Sequence, residues 1–449
     1  MSELPVVVIG AGPQGLAAAA HLLERGERPV VLEAGDKPAF AVSQWGHVRL
    51  FSPWPELVDP AAARLLEPTG WVAPGAGYPT GAQWRQEYLI PLAEALGAVV
   101  RYGVRVSGVS RLGRDRLVDA GRAQTPFTVH VTRSDGGEEK LIARAVIDAS
   151  GTWTSPNPAG GDGLPALGER SAALAGLVWY LPPTPVQGRA LAGKHVVIVG
   201  SGHSAMTAVI ELAAVVEANP GTQLTWVLRR GTSGVAFGGG TADQLPQRGA
   251  LGVAAKAAVD KGFGTLVTGF RTDRIDVIGA QAVVVAEDGR ALPAADQVIV
   301  LTGFRPDLSF LNEVRLDLDT TLQAPARIAA EVDPNIHSCG DVKATGAADL
   351  AHPEPDLYLV GMKSYGRAPT FLAMTGYEQV RSVAAELTGD HEGAARVELA
   401  LPDTGVCGGS GLFDDPDAGA DAGGCCGSAP AAGAQPLIMT GLSGLSSRS

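Results

Sequence analysis

Short β-branched runs ending in glycine recur along the chain. Val6-Val7-Val8-Ile9 is one of them, apolar at every position, as in a strand covered on both faces of a parallel sheet. Gly10-Ala11-Gly12-Pro13-Gln14-Gly15 follows, and then a helical pattern from Leu16 to Arg25 that stops at Gly26, a natural residue just past a helix end. A second apolar run, Pro29-Val30-Val31-Leu32, ends in Glu33. The predicted order is strand, glycine turn, helix, strand, acid.

The same order returns about 190 residues later, counting from Gly10 to Gly200. Lys194 to Val199 reads as a strand and Gly200-Ser201-Gly202-His203-Ser204-Ala205 as the turn. Met206 to Glu217 reads as a helix, broken at Asn219-Pro220-Gly221. The next strand, Leu224 to Leu228, ends in Arg229-Arg230. Two further buried strands run into glycine turns, Ala145 to Thr152 and Asp296 to Pro306. They flank the second unit where the chain would cross between domains. Ile336 to Asp341 reads as a last strand entering Gly340-Asp341. The predicted fold is α/β, with two Rossmann-like domains, the second inserted into the first. The expected segments are 1–155 and 291–401 for the first domain, 156–290 for the second, and a flexible Gly-, Ala- and Ser-rich tail over 402–449.

The turns carry the chemistry. Gly10 allows a tight turn, Gly12 lets backbone approach a pyrophosphate at the helix N-terminus, and Gly15 lets helix pack closely on strand. Glu33, 18 residues beyond Gly15, can accept from ribose hydroxyls. The plain alternative is a glycine turn in an α/β fold with no ligand. In the second unit arginines stand where the acid would be. Guanidinium groups bind a 2′-phosphate that a carboxylate would repel, so this unit should prefer NADPH to NADH. The plain alternative is a solvated strand end.

Composition narrows the function classes. The 449 residues are 45% hydrophobic, enough for a packed core and against intrinsic disorder. The 59 Gly and 31 Pro show no three-residue period, which excludes collagen. A net charge of −12 argues against nucleic-acid and anionic-membrane partners. The N-terminus has no basic n-region, and no run of 18 apolar residues exists, so a cytoplasmic protein is expected. Four cysteines are too few for a disulfide scaffold, and three of them, Cys407, Cys425 and Cys426, crowd the C-terminal end.

These motifs together resemble the two-dinucleotide-binding-domain flavoproteins, over nearly all of residues 4–395. Trp45 to Trp54 resembles the flavin-side loop of flavin-containing monooxygenase-like proteins, and Asp243 to Gly249, Ala351 to Pro355 and Met362 to Phe371 are similar to the flavin-containing monooxygenase-like oxidoreductases of bacterial arsenic-resistance clusters. The resemblance implies an FAD enzyme that takes hydride from NADPH. It places FAD at Gly10, Gly12, Pro13, Gln14, Gly15, Glu33, Trp45, Arg49, Val106, Ser150, Gly151, Gly340 and Asp341. It places NADPH at Gly200, Gly202, His203, Ser204, Arg229, Arg230, Thr302 and Gly303. Lys363 and Arg367 precede an expected helix from Thr370 to Leu387 whose positive end would face the flavin. One departure stands out. The monooxygenase fingerprint Phe-x-Gly-x-x-x-His is absent, since residues 156–194 contain no histidine and carry Leu177-Val178-Trp179-Tyr180-Leu181-Pro182-Pro183 instead.

Catalysis is expected on the flavin, with Cys407, Cys425 and Cys426 as the candidate catalytic side chains. No flavin-adjacent Cys-x-x-Cys or Cys-x-x-x-x-Cys occurs, which excludes thioredoxin-reductase chemistry through such a pair. The vicinal Cys425-Cys426 resembles the mobile C-terminal pairs of mercuric reductases. With Cys407 it would supply three sulfurs to trivalent arsenic or another thiophilic ion. Two alternatives to the monooxygenase stay open: an NADPH-dependent metalloid or disulfide reductase, and a non-catalytic flavoprotein scaffold. The expected partner is a small molecule, an arsenical being one candidate, and a homodimer is compatible with the sequence.

Overall fold

In the computed structural model the described residues are 4–231, 237, 240, 243, 245–334, 344–369 and 371–399. Cys339, Gly340, Asp341, Cys407, Cys425, Cys426 and the segment 402–449 lie outside them, and with them the expected Gly-Asp motif, the thiol site and the tail.

Fifteen strands form two parallel sheets and two antiparallel ribbons among these residues. The strands are β1 (Val6–Ile9), β2 (Pro29–Leu32), β3 (Val100–Arg101), β4 (Val104–Arg111), β5 (Phe127–Arg133), β6 (Glu138–Ala143) and β7 (Ala145–Asp148). They continue as β8 (Val178–Trp179), β9 (His195–Val199), β10 (Gln223–Val227), β11 (Thr265–Val267), β12 (Thr272–Ile278), β13 (Gln281–Ala286), β14 (Gln297–Val300) and β15 (Leu357–Leu359). The four helices of twelve or more residues are α1 (Pro13–Glu24), α2 (His203–Ala218), α3 (Pro246–Asp260) and α4 (Ala373–Leu387).

The first sheet has the order β15-β7-β1-β2-β3. Its central strand is buried at every position, because alternate side chains face two different cores. Val6 and Val8 face a core shared with Leu16, Ala19 and Val380 of α1 and α4. Val7 and Ile9 face the meander β4-β5-β6 through Val106, Val129 and Val131. Fully burying a valine or leucine stabilises by about 1.5–3 kcal/mol, so both faces of this strand contribute. The second sheet, β11-β10-β9-β14-β8, repeats the plan. Val196 and Ile198 pack on α2 and α3, while Val197 and Val199 pack on the hairpin β12-β13.

One sequence expectation needs correction. The second unit does not end at residue 290, because β14 pairs in parallel with both β9 and β8. Its alternate side chains are buried in the two cores on either face of the second sheet, Ile299 on one side and Val298 and Val300 on the other. In the first sheet, β15 occupies the place beside β7, so Gly361-Met362-Lys363 emerge next to Asp148. The meander and the hairpin were not predicted. A buried ion triad ties the meander to the C-terminal third of the chain: Glu354 takes Arg111 at 2.7 Å and Arg122 at 2.7 Å. Burial pushes the Glu354 carboxyl up, but the hydrogen bonds from Arg122 and Arg111 bring it below its usual value. No described helix is long and apolar enough to cross a membrane.

Candidate dinucleotide sites and the cavity between them

The first turn is built for a close backbone approach. Gly10 has φ +99°, and a Cβ there would lie 3.0 Å from the Ala149 carbonyl oxygen. A Cβ on Gly15 would lie 1.8 Å from the Gly10 carbonyl oxygen. Gly12, the residue capping α1, is different, for a Cβ there meets nothing within 4 Å. Open space therefore stands where the free amides of the helix end converge, as an anionic pyrophosphate requires. Glu33 at the end of β2 accepts from the amides of Ala11 (2.7 Å) and Gly35 (2.7 Å), one on each carboxylate oxygen. Each oxygen keeps a second lone pair for a hydroxyl.

These groups open onto a cavity of about 1080 Å³. Gly10, Gly12, Pro13, Glu33, Val106, Ser150 and Gly151 are among the residues that line it. The volume, the open cradle at Gly12 and the orientation of Glu33 fit a flavin dinucleotide. An aromatic part of the lining comes from both units. Trp153 stacks on Phe304 with ring centroids 4.8 Å apart and planes inclined by 25°, and the Trp153 indole donates to Gln44 Oε1 at 2.9 Å. Val178, Trp179, Tyr180, Leu181 and Pro182 complete this wall. They belong to the segment that stands in place of the missing histidine fingerprint. The Tyr180 hydroxyl donates to Glu169 at 2.9 Å. Burial, with the Glu169 charge behind it, raises its pKa well above the ordinary phenol value, so it stays neutral. Phe304 falls inside the second crossover segment and Trp153 directly follows the first, but the sequence pattern assigned neither a role at the site. Their aromatic character next to two glycine turns was the available signal.

The two crossover segments lie side by side. The Asn157 amide donates to the Gly303 carbonyl (2.8 Å), and Thr302 Oγ1 donates to the Asn157 carbonyl (2.7 Å). Arg305 donates through Nε to Asn157 Oδ1 at 2.7 Å. Thr302 and Gly303 thus serve the joint between the units, and neither lines the cavity.

In the second turn Gly200 has φ +132°, and a Cβ there would lie 2.2 Å from the Leu301 carbonyl oxygen. Gly202 caps α2 and is open like Gly12. His203 and Ser204 begin that helix. Burial, then the nearby Arg248 charge, pulls the His203 pKa down to about 4, so the ring is neutral near pH 7. Phe51, from the first unit, packs edge-on against it at 4.9 Å. Arg229 is exposed and donates to the Gly161 carbonyl at 3.1 Å; Arg230 follows it at the strand exit.

Four of the described FAD candidates, Gln14, Gly15, Trp45 and Arg49, are not among the residues that line the cavity. Trp45 packs against Gly81, whose added Cβ would lie 2.6 Å from the indole. Arg49 donates to the Tyr78 carbonyl and pairs with Thr80, so it holds a loop. Gln14 is buried and donates to the Ala373 carbonyl at 3.0 Å, tying α1 to α4. Arg367 donates to Gln323 Oε1. Among the described residues, no group of three or more His, Cys, Asp or Glu side chains could hold a metal ion.

Comparison with known proteins agrees with this geometry. The family model for pyridine nucleotide-disulphide oxidoreductases matches residues 7–328. An indole-3-pyruvate monooxygenase of rice, Oryza sativa subsp. japonica, is 32% identical over 208 residues, which are 46% of this chain and 44% of that protein. The chain thus matches less than half the length of this curated relative. Among solved structures, a bacillithiol disulfide reductase from Bacillus cereus superposes with a TM-score of 0.63 at 20% identity, over 86% of this chain and 99% of that one. A cadaverine monooxygenase from Erwinia amylovora, solved with FAD bound, gives a TM-score of 0.60 at 14% identity, over 90% and 99%. At these identities the likeness establishes the fold.

Proposed function

The chain belongs to the pyridine nucleotide-disulphide oxidoreductase family, and from that premise we propose that it is an FAD-dependent oxidoreductase fed by NADPH, monooxygenase-like in type. The observation that carries the proposal is the pairing of two strand–turn–helix units around one cavity. That cavity is lined by Gly12 and Glu33, which suit a dinucleotide, and by aromatic residues shared with the second unit. When bound, the flavin accepts a hydride equivalent from nicotinamide and passes electrons onward; the protein supplies position and excludes water. Gly10 and Gly15 bring backbone close to the pyrophosphate. Glu33 takes ribose hydroxyls. Arg229 and Arg230 favour the 2′-phosphate of NADPH over the free hydroxyl of NADH. Trp153, Phe304 and the Val178–Pro182 wall exclude water next to the site.

The test is spectroscopic. The purified full-length protein should carry a flavin spectrum that bleaches anaerobically with NADPH, and much more slowly with NADH. A colourless protein that takes up no added FAD, or a flavin that neither nucleotide reduces, would sink the proposal.

A second reading is favoured by one feature of the sequence, the clustering of Cys407, Cys425 and Cys426. It makes the enzyme an NADPH-dependent reductase, or a monooxygenase, acting on a thiophilic metalloid such as a trivalent arsenical. Replacing Cys425 and Cys426 by Ser should then abolish arsenite binding in calorimetry. Unchanged binding removes the arsenical from the proposal and leaves the flavin chemistry in place.

A further inference from the structure

Directly behind the cavity lies a buried ion pair that the flavin chemistry does not require. Lys363 Nζ sits 2.6 Å from Asp148 Oδ2, and both side chains have zero exposure. The ammonium also donates to Ser150 Oγ at 3.0 Å and lies 4.4 Å from the centroid of the Phe310 ring. Asp148, Ser150 and the Phe310 ring thus surround the Lys363 ammonium. Ser150 Oγ gives its own hydrogen to Asp148 Oδ1 at 2.6 Å, and the Ser150 amide donates to the same oxygen at 3.0 Å. Ser150 itself lines the cavity.

A fully buried ion pair adds little net stability, since desolvation offsets most of the attraction. What this one does is fix a hydroxyl. With its hydrogen on Asp148 and one lone pair on Lys363, Ser150 Oγ keeps a single lone pair for the cavity, so it can only accept. The strand order says what it accepts from. Glu33 ends β2, the Gly10–Gly12 turn ends β1, and Ser150 follows β7 on the opposite side of β1. A dinucleotide whose ribose is at Glu33 and whose pyrophosphate is at Gly12 extends its next segment over β7.

We propose that Lys363 and Asp148 are positioning residues that hold Ser150 Oγ as an acceptor for a hydroxyl of the FAD ribityl chain. The proposal rests on the FAD reading above. It is tested by titrating the deflavinated full-length chain with FAD and, separately, with ADP, which lacks the ribityl chain. Ser150→Ala should weaken FAD about tenfold, the worth of one good hydrogen bond, and leave ADP unchanged. The apolar pair Lys363→Met with Asp148→Leu should weaken FAD by a similar factor without lowering the melting temperature of the flavin-free chain. Adding Ser150→Ala to that pair should cost nothing more, because the three side chains act as one unit. Wild-type FAD affinity in Ser150→Ala, an equal loss of ADP affinity, or additive effects would each overturn the proposal. If the apolar pair fails to fold, Ser150→Ala with its FAD and ADP arms still decides. A wild-type chain that binds no FAD would instead refute the cofactor assignment itself.

Discussion

The two dinucleotide units share a plan and differ at three places, and each difference has a physical reading. At the third position of the turn the first unit has Gly15 and the second has Ala205, which is fully buried without strain. The Gly10 carbonyl points at Gly15, leaving 1.8 Å for a Cβ. In the second unit the Gly200 carbonyl instead accepts the Trp226 indole hydrogen at 2.7 Å. The same turn therefore packs tightly against its helix in one unit and is held by a tryptophan in the other. At the end of the second strand the first unit has Glu33, whose carboxylate is fixed by two amides, and the second has two arginines. Finally, the first turn opens onto the cavity, whereas Phe51 packs on His203 at the start of the second helix.

Exchanging the third-position residues should give the largest effect. Gly15→Ala drives a methyl into a backbone carbonyl that cannot move without moving β1. A loss of roughly 3–5 kcal/mol and little bound flavin are expected, read by thermal melting and by the flavin-to-protein absorbance ratio. Ala205→Gly should cost only about 1 kcal/mol, the penalty of glycine in a helix. Comparable losses in both units would mean that the tight turn is not special to the first.

The acid and the arginines come next. Glu33→Ala leaves the Ala11 and Gly35 amides without their acceptor and removes the ribose contact. FAD affinity should fall roughly 30–100-fold, the worth of two hydrogen bonds to a charged group discounted for solvent at a half-buried site. Arg229→Ala together with Arg230→Ala should raise KM for NADPH roughly tenfold and leave NADH nearly unaffected. An equal loss for both nucleotides would show the arginines to be general phosphate contacts, with no part in selectivity.

How much of this was legible in the sequence follows from range. The strand–turn–helix units are local, so glycine spacing and β-branched runs announced them, and their helices begin within three residues of the predicted starts. The crossover turns were visible too, as strands running into glycine. What escaped depends on contacts between distant residues. Asp148 and Lys363 are 215 positions apart by number, and nothing near either one shows that β15 will lie beside β7. Arg111 and Glu354 meet for the same kind of reason, across 243 positions. β14 was assigned to the wrong unit because a buried apolar strand does not reveal which sheet buries it. The resemblance places Arg49 among the FAD residues, while its guanidinium donates to a loop carbonyl 29 residues on, a contact that the local sequence does not announce.

The smallest effect concerns the contact between the units. His47 of the first unit lies 3.8 Å from Glu211, on α2 of the second. Burial lowers the His47 pKa and raises that of Glu211 to about 7. Near neutrality the imidazole is therefore uncharged and offers the carboxylate no cation. A carboxyl whose folded pKa lies above its unfolded value favours the folded state when protonated. Its contribution is fully present below about pH 4.5, the unfolded value, and is lost as pH rises through about 7. Glu211→Gln removes the titration. The variant should melt roughly 1–3 °C above wild type at about pH 8 and within error of it at about pH 5. A gap that persists unchanged at both values would mean that the carboxylate is already solvated, and that the joint between the units carries no buried charge.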